Sequence, residues 1–149
     1  MTRFFPAALA ALAVTAATLF PPAASAQTSA PGPFAAPCGS LQFQRVEHDF
    51  VASCGGAPFD RFSADALVHF DDPSDGADGV TRLLVQTDAG PVLYDLRHRP
   101  PLVQRAGRRL AVRRVFWQGD EVVMQGPQGW FRLQHGTLTR LQSSTTVYH

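Results

Sequence analysis

From residue 81 to residue 142 the chain alternates apolar and polar residues in short runs, cut at even intervals by glycine-containing turns. An alternation of period two sends successive side chains to opposite faces of an extended strand. Residues 81–87 and 92–96 flank the turn Asp88-Ala89-Gly90-Pro91, and residues 121–125 and 130–134 flank Gly126-Pro127-Gln128-Gly129. Gly119-Asp120 and His135-Gly136 supply further turns, residues 138–142 follow, and residues 145–148 offer a last segment for pairing. Residues 110–118 are the longest strand candidate. Upstream, residues 41–46 begin as an alternation and residues 66–70 form a short apolar run. No window sustains an apolar period of 3.6, and only residues 57–67 have room for a helical turn. The pattern predicts an all-β fold of antiparallel hairpins, a meander.

The hairpins also repeat. Residues 83–90 line up with residues 122–129, an offset of 39 (122 minus 83). With a small gap, Tyr94, Leu96 and His98 match Phe131, Leu133 and His135. Phe50-Val51-Ala52-Ser53-Cys54-Gly55-Gly56 reads as a degenerate earlier copy. Strand-turn-strand content with a period near 40 resembles, as architecture, the blades of β-propellers. Propellers use four or more blades, and this chain has room for three at most. The predicted architecture is therefore a small antiparallel meander or sandwich, a partial propeller-like sheet stack, or a chain that assembles with copies of itself.

The first residues read as an export signal. Arg3 precedes an uncharged stretch rich in Ala and Leu, residues 4–20, and Pro21-Pro22 break any helix. Ala24-Ser25-Ala26 then fits the small-x-small rule for signal peptidase. This predicts a signal peptide over residues 1–26, a flexible Pro/Ala/Ser leader over 27–37, and one β-rich domain over 38–149. No Cys follows the apolar stretch directly and Arg3 is alone, so neither a lipid anchor nor a twin-arginine signal is indicated. No second apolar span follows, so the mature chain is expected to be periplasmic or secreted, with no membrane span. The two cysteines, Cys38 and Cys54, both lie beyond the cleavage site. An even count in an oxidising compartment predicts a disulfide. Closing a loop of about 15 residues stabilises a fold by about 3 kcal/mol on the chain-entropy model.

Composition narrows the partners. The net charge is +1, and losing Arg3 with the signal leaves the mature chain balanced. A neutral domain has no global field with which to gather nucleic acid or anionic membrane. Lys, Asn and Ile are absent, which suggests a GC-rich bacterial genome.

Three local features carry possible chemistry. The acidic segment 71–79 holds Asp71, Asp75 and Asp78 among Pro, Ser and Gly; such a loop suits Ca²⁺, although the calcium-loop pattern is not met. The basic segment 105–114 holds Arg105, Arg108, Arg109, Arg113 and Arg114 beside Phe116 and Trp117. Trp130 and Arg132 share a strand face and extend it, giving a candidate interaction patch suited to polyanions or to protein. His48 and His69 each neighbour a carboxylate, as zinc ligands commonly do, while His98 and His135 sit at matching repeat positions and read as turn residues. Glu47 and Glu121 could serve a carboxylate pair if the fold joins them. No nucleophile elbow, phosphate loop or dinucleotide fingerprint occurs.

The leading expectation is a non-enzymatic secreted or periplasmic module that contacts another envelope protein. Self-association is a further possibility, no cofactor is required, and nucleic acid is not the everyday partner of an exported chain. The alternatives are a small metal-dependent hydrolase using the acidic loop or the histidines, and a polyanion binder acting through residues 105–114.

Overall fold

The computed structural model describes residues 28–72 and 79–141. Among them are twelve strands and no helix. The strands form three four-stranded antiparallel sheets, each a meander in chain order. Sheet 1 holds β1 (Phe34–Ala36), β2 (Gly39–Val46), β3 (Asp49–Cys54) and β4 (Ala57–Ser63). Sheet 2 holds β5 (His69–Asp71), β6 (Arg82–Thr87), β7 (Gly90–Asp95) and β8 (Leu102–Arg105). Sheet 3 holds β9 (Arg114–Gln118), β10 (Glu121–Gly126), β11 (Gly129–Gln134) and β12 (Thr137–Leu141).

The repeat is real at the level of register. The hairpin β6–β7 closes on the pair Thr87 and Gly90, and β10–β11 closes on Gly126 and Gly129, both 39 residues later. The offset holds through both strands, so the small gap expected after the turn is not there. Tyr94 corresponds to Leu133 and Val92 to Phe131. The earlier copy also moves: β2–β3 closes on Val46 and Asp49, an offset of 41 (87 minus 46). The first hairpin of the repeat is thus β2–β3, and Cys54-Gly55-Gly56 makes the next turn along.

Stacking decides which residues are apolar. In sheet 2, Leu83, Val85, Val92 and Tyr94 face sheet 1 and share a core with Leu41, Phe43, Phe50, Ala52 and Phe62. Leu84 and Leu93 point the other way and share a second core with Val122, Met124, Phe131 and Leu133 of sheet 3. Sheet 2 is therefore sandwiched, which explains why β6 and β7 read as nearly continuous apolar runs. The face turned toward the preceding sheet is here termed the rear face, and the opposite one the front face. Each contact between sheets is a front face on a rear face.

Several expectations on element limits are corrected. Residues 57–63 form β4, not a helical turn; Phe59 is an extra residue opposite Ala52 and Ser53, and it breaks the alternation that would have marked the strand. In the stretch 110–118 only Arg114–Gln118 is a strand. Leu110 and Val112 cross between sheets, and the Gln86 amide takes their backbone groups by donating to Leu110 O (2.7 Å) and accepting from Val112 N (2.8 Å). This crossing runs so close to the hairpin ends that a Cβ on Gly90 would lie 2.0 Å from Arg108 O, and one on Gly126 would lie 1.8 Å from Ala111 O. The sheet also starts before Cys38: Phe34–Ala36 pair with β2, and Val80 N donates to Ala35 O. Of residues 66–70, only His69 and Phe70 are in a strand. The expected signal over residues 1–26 and the pairing segment 145–148 lie outside the described residues.

Cys38 and Cys54 are joined, closing a 16-residue separation. The bond ties the β1–β2 turn to the end of β3 at the rim of the first core. Two ionic contacts, the second of them buried, tie the sheets further. Tyr94 Oη donates to Asp60 Oδ2 and Arg105 pairs with Asp60 Oδ1, linking sheet 2 to sheet 1. Arg82 pairs with Asp72 at 2.9 Å, and its guanidinium lies over the Trp117 ring of sheet 3 at 5.0 Å.

Candidate interaction surface

Among the described residues, a stack of three sheets leaves two faces without a neighbouring sheet, the rear face of sheet 1 and the front face of sheet 3. On the rear face of sheet 1 stand Gln42, Gln44, Val51 and Ser53, where sheet 2 has Leu83, Val85, Val92 and Tyr94 and sheet 3 has Val122, Met124, Phe131 and Leu133. Three of four apolar positions have become polar. Asp49 extends this polar surface, accepting from Ser63 Oγ at 2.6 Å and Arg61 Nε at 2.7 Å. Those two bonds, the Ser63 hydroxyl first, hold its carboxyl below the ordinary range.

The front face of sheet 3 is different. Register sets Phe116, Val123, Arg132 and Thr139 side by side across the four strands, and Gln125 beside Arg114 and Trp130, with Leu141 beyond. The rings of Phe116 and Trp130 stack with centroids 5.6 Å apart and planes at 24°. The two residues are two strands apart, so their rings meet above β10. Val123 on that strand is 0% exposed. Leu141 is half-buried, and the Glu121 carboxylate lies 3.7 Å from Arg132 Nη1. The face therefore has an aromatic and aliphatic centre with a mixed-charge pair at its edge. In sheet 2 the corresponding places of Phe116 and Val123 are Phe70 and Leu84, both packed under sheet 3.

The candidate patch read from the sequence is distributed over several places. Trp130, Arg132 and Arg114 share the front face of sheet 3. Trp117 lies on the rear face and packs into the second core. Arg108 sits over the Phe131 ring at 5.3 Å. Arg105 is engaged by Asp60, and Arg109 lines a groove of about 530 Å³ with Asp49, Arg61 and Asp88. Arg113 closes the crossing by donating its backbone N to Gln125 O at 2.7 Å. Sequence reading did not single out Val123, Leu141 or Gln125 for this surface. Continuing the 39-residue alignment onto the front face finds Val123, because it sets Val123 opposite Leu84.

Of the acidic loop, Asp71 bonds His69 Nδ1 at 2.6 Å, while Asp75 and Asp78 lie outside the described residues. Among the described residues no three His, Cys, Asp or Glu side chains converge as a metal site would require. His48 meets Asp88 at 3.3 Å on the surface, and His98 meets Asp95 at 3.7 Å. His135 sits in a turn with φ 48°. Glu47 is in the β2–β3 turn of sheet 1 and Glu121 opens β10 of sheet 3, with sheet 2 between them, so they form no pair. No helix among the described residues is long and apolar enough to cross a membrane.

No family model matches the chain, and neither a curated protein nor a solved structure matches it.

Proposed function

We propose that this chain is an exported, non-enzymatic binding module that contacts another protein of the envelope through the front face of sheet 3. The observation that carries the reading is the inequality of the two outward faces. Stacked repeats need a polar outer surface at each end to remain soluble alone. Sheet 1 has one, built by Gln42, Gln44 and Ser53 at positions that are apolar in both other sheets. Sheet 3 instead keeps Phe116, Trp130 and Leu141 above a fully buried Val123; Trp and Arg are among the residue types that dominate binding hot spots, and Phe is enriched at interfaces. The Arg3 and Ala24-Ser25-Ala26 signal, together with the Cys38–Cys54 bond, supports export.

The test uses the full chain with its leader, produced in a bacterial host. The expected product is periplasmic and begins at Gln27 by mass. Photo-crosslinking from position 125 in the envelope fraction is expected to trap a defined protein, and Trp130→Glu to abolish the adduct while leaving the β-sheet spectrum intact. A cytosolic chain with residues 1–26 attached, or adducts indifferent to Trp130→Glu, would refute the proposal.

A further inference from the structure

The balanced charge of the chain is unevenly placed. Arg61, Arg82, Arg97, Arg105 and Arg132 each hold a carboxylate. Among the described residues, Arg108, Arg109, Arg113, Arg114 and Arg140 hold none, and all five are exposed. They gather at one end of sheets 2 and 3, where β6–β7 and β10–β11 turn. The crossing that bears Arg108, Arg109 and Arg113 runs against Gly90 and Gly126 at those turns. Arg114 opens β9 opposite Gln125, and Arg140 Nη2 lies 3.8 Å from where a Cβ on Gly129 would stand. Asp88, the acid in the first of those turns, meets His48 of sheet 1 at 3.3 Å. The other end of the same two sheets carries Asp72, Asp95, Asp120 and Glu121, three of them paired with Arg82, Arg97 and Arg132. A chain that is neutral as a whole is therefore basic at one end of its strands, and the field it lacks globally exists there locally.

A guanidinium binds phosphate in a fork and stays charged at every working pH. A protein partner needs more than charge, since specific interfaces centre on a desolvated apolar or aromatic anchor. On the crossing, Leu110 is 4% exposed and Val112 is half-buried against the second core. Phe131, under Arg108, is 3% exposed, and Trp117 packs into that core, so neither offers a nucleic-acid base a face to stack on. A layer of anionic headgroups asks only for charge, and clusters of about four to eight basic residues hold a protein to it. From this placement we infer that the arginine end of sheets 2 and 3 docks on a membrane surface rich in anionic phospholipid, with the guanidinium groups on headgroup phosphates. The strands then stand end-on to the bilayer. The charge distribution alone carries this inference, which does not depend on the front face of sheet 3.

Co-sedimentation with vesicles tests it, using the secreted product with its start checked by mass. The chain is expected to bind phosphatidylcholine vesicles that contain about a third phosphatidylglycerol, and to ignore phosphatidylcholine alone. Raising NaCl from about 50 mM to about 500 mM is expected to release it. Arg109→Gln with Arg113→Gln is expected to weaken binding about 25-fold, at about fivefold for each charge removed. Arg140→Gln alone, on β12, weakens it about fivefold and serves as the check should the double variant fail to fold. Arg99→Gln makes the same charge change at the other end of the strands and leaves binding unchanged. Equal binding to both kinds of vesicle, none to either, or binding that ignores salt overturns the inference. Equal losses from Arg99→Gln and Arg140→Gln overturn it too. So does a chain that is retained by heparin or single-stranded DNA but leaves the phosphatidylglycerol vesicles alone, which assigns the arginine end to a soluble polyanion.

Discussion

Sheets 2 and 3 are copies of one meander at an offset of 39, yet their front faces carry different residues. Arg82, Leu84, Pro91 and Leu93 of sheet 2 become Glu121, Val123, Trp130 and Arg132 of sheet 3. The rear faces differ far less, since Leu83, Val85, Val92 and Tyr94 become Val122, Met124, Phe131 and Leu133. Composition at a repeat position follows what covers it and not the strand that bears it. A position under a neighbouring sheet is apolar or, like Arg82, paired and buried. At an outward position the sequence is released from that demand, so whatever apolar residues persist there need another explanation. On sheet 1 only Val46 and Val51 persist, each among polar neighbours, and on sheet 3 a stripe does.

Exchanging residues between corresponding positions puts this to the test. Leu93 is 3% exposed and corresponds to Arg132. Leu93→Arg would place a cation between two packed sheets, at a cost of about 5 kcal/mol, comparable with a small domain's whole stability. The expected outcome is a chain that no longer unfolds cooperatively in urea. A folded Leu93→Arg protein would break the claim that the stack is continuous through sheet 2.

The next effect belongs to the other junction. Tyr94 is fully buried and donates to Asp60 Oδ2, an arrangement that lacks an equivalent in sheet 3, where Leu133 takes its place. Burial first, and then the Asp60 carboxylate, push the phenol far above its ordinary range, so it stays protonated and donating. Tyr94→Phe leaves one carboxylate oxygen without its donor and is expected to cost about 2 kcal/mol, read as a lower urea midpoint with an unchanged slope. Arg105 still neutralises Asp60, which keeps the loss below that of Leu93→Arg.

A smaller effect depends on pH. His69 corresponds by register to Val115 of sheet 3, so a polar ring stands in sheet 2 where sheet 3 has an aliphatic side chain. Its side chain is 5% exposed; Nδ1 meets Asp71 at 2.6 Å and Nε2 meets Ala30 O at 3.0 Å, with Phe43 stacked on the ring. A neutral imidazole has one N–H and satisfies only one of two acceptors. Burial works against its charge, but the Asp71 carboxylate and the Ala30 carbonyl prevail and raise its pKa above the ordinary value. Since the folded value exceeds the unfolded one of about 6.5, this contribution is complete below about pH 6.5 and is lost as pH rises through the folded value. Stability measured from pH 5 to 9 should fall over that window, and His69→Gln should flatten the fall. An unchanged slope in His69→Gln would assign it to another group.

The sequence showed hairpins where turns were marked by glycine and faces were unequal, as in β10 and β11. It hid β1, because Phe34-Ala35-Ala36 is set among prolines, and β4, because the extra residue Phe59 spoils the period. It also hid the joints between sheets: Tyr94, Asp60 and Arg105 are 34 and 45 residues apart for the two bonds, and no local pattern announces them. For the surface, Trp130 and Arg132 were legible from alternation alone. Trp117 adjoins Phe116 in sequence, yet on β9 only Phe116 and its alternates share the face of Trp130 and Arg132.

The smallest expected effect is also the sharpest probe of what the outward stripe is for. Arg132→Leu is the reverse of Leu93→Arg and makes sheet 3 resemble sheet 2. Arg132 gives up a 3.7 Å contact with Glu121 at a partly exposed site, an interaction worth about 0–1 kcal/mol. Folding stability should therefore move by no more than about 0.5 kcal/mol in either direction. Association should respond more than folding does. If the front face meets an envelope partner through an apolar centre, the added leucine enlarges that centre and the crosslinked adduct forms in higher yield. Gln44→Leu places a comparable leucine on the polar rear face of sheet 1, near Gln42 and Ser53, and should leave the adduct yield unchanged. Equal responses from the two leucines would mean that the outward faces are equivalent, and that the stripe on sheet 3 has no partner to answer to.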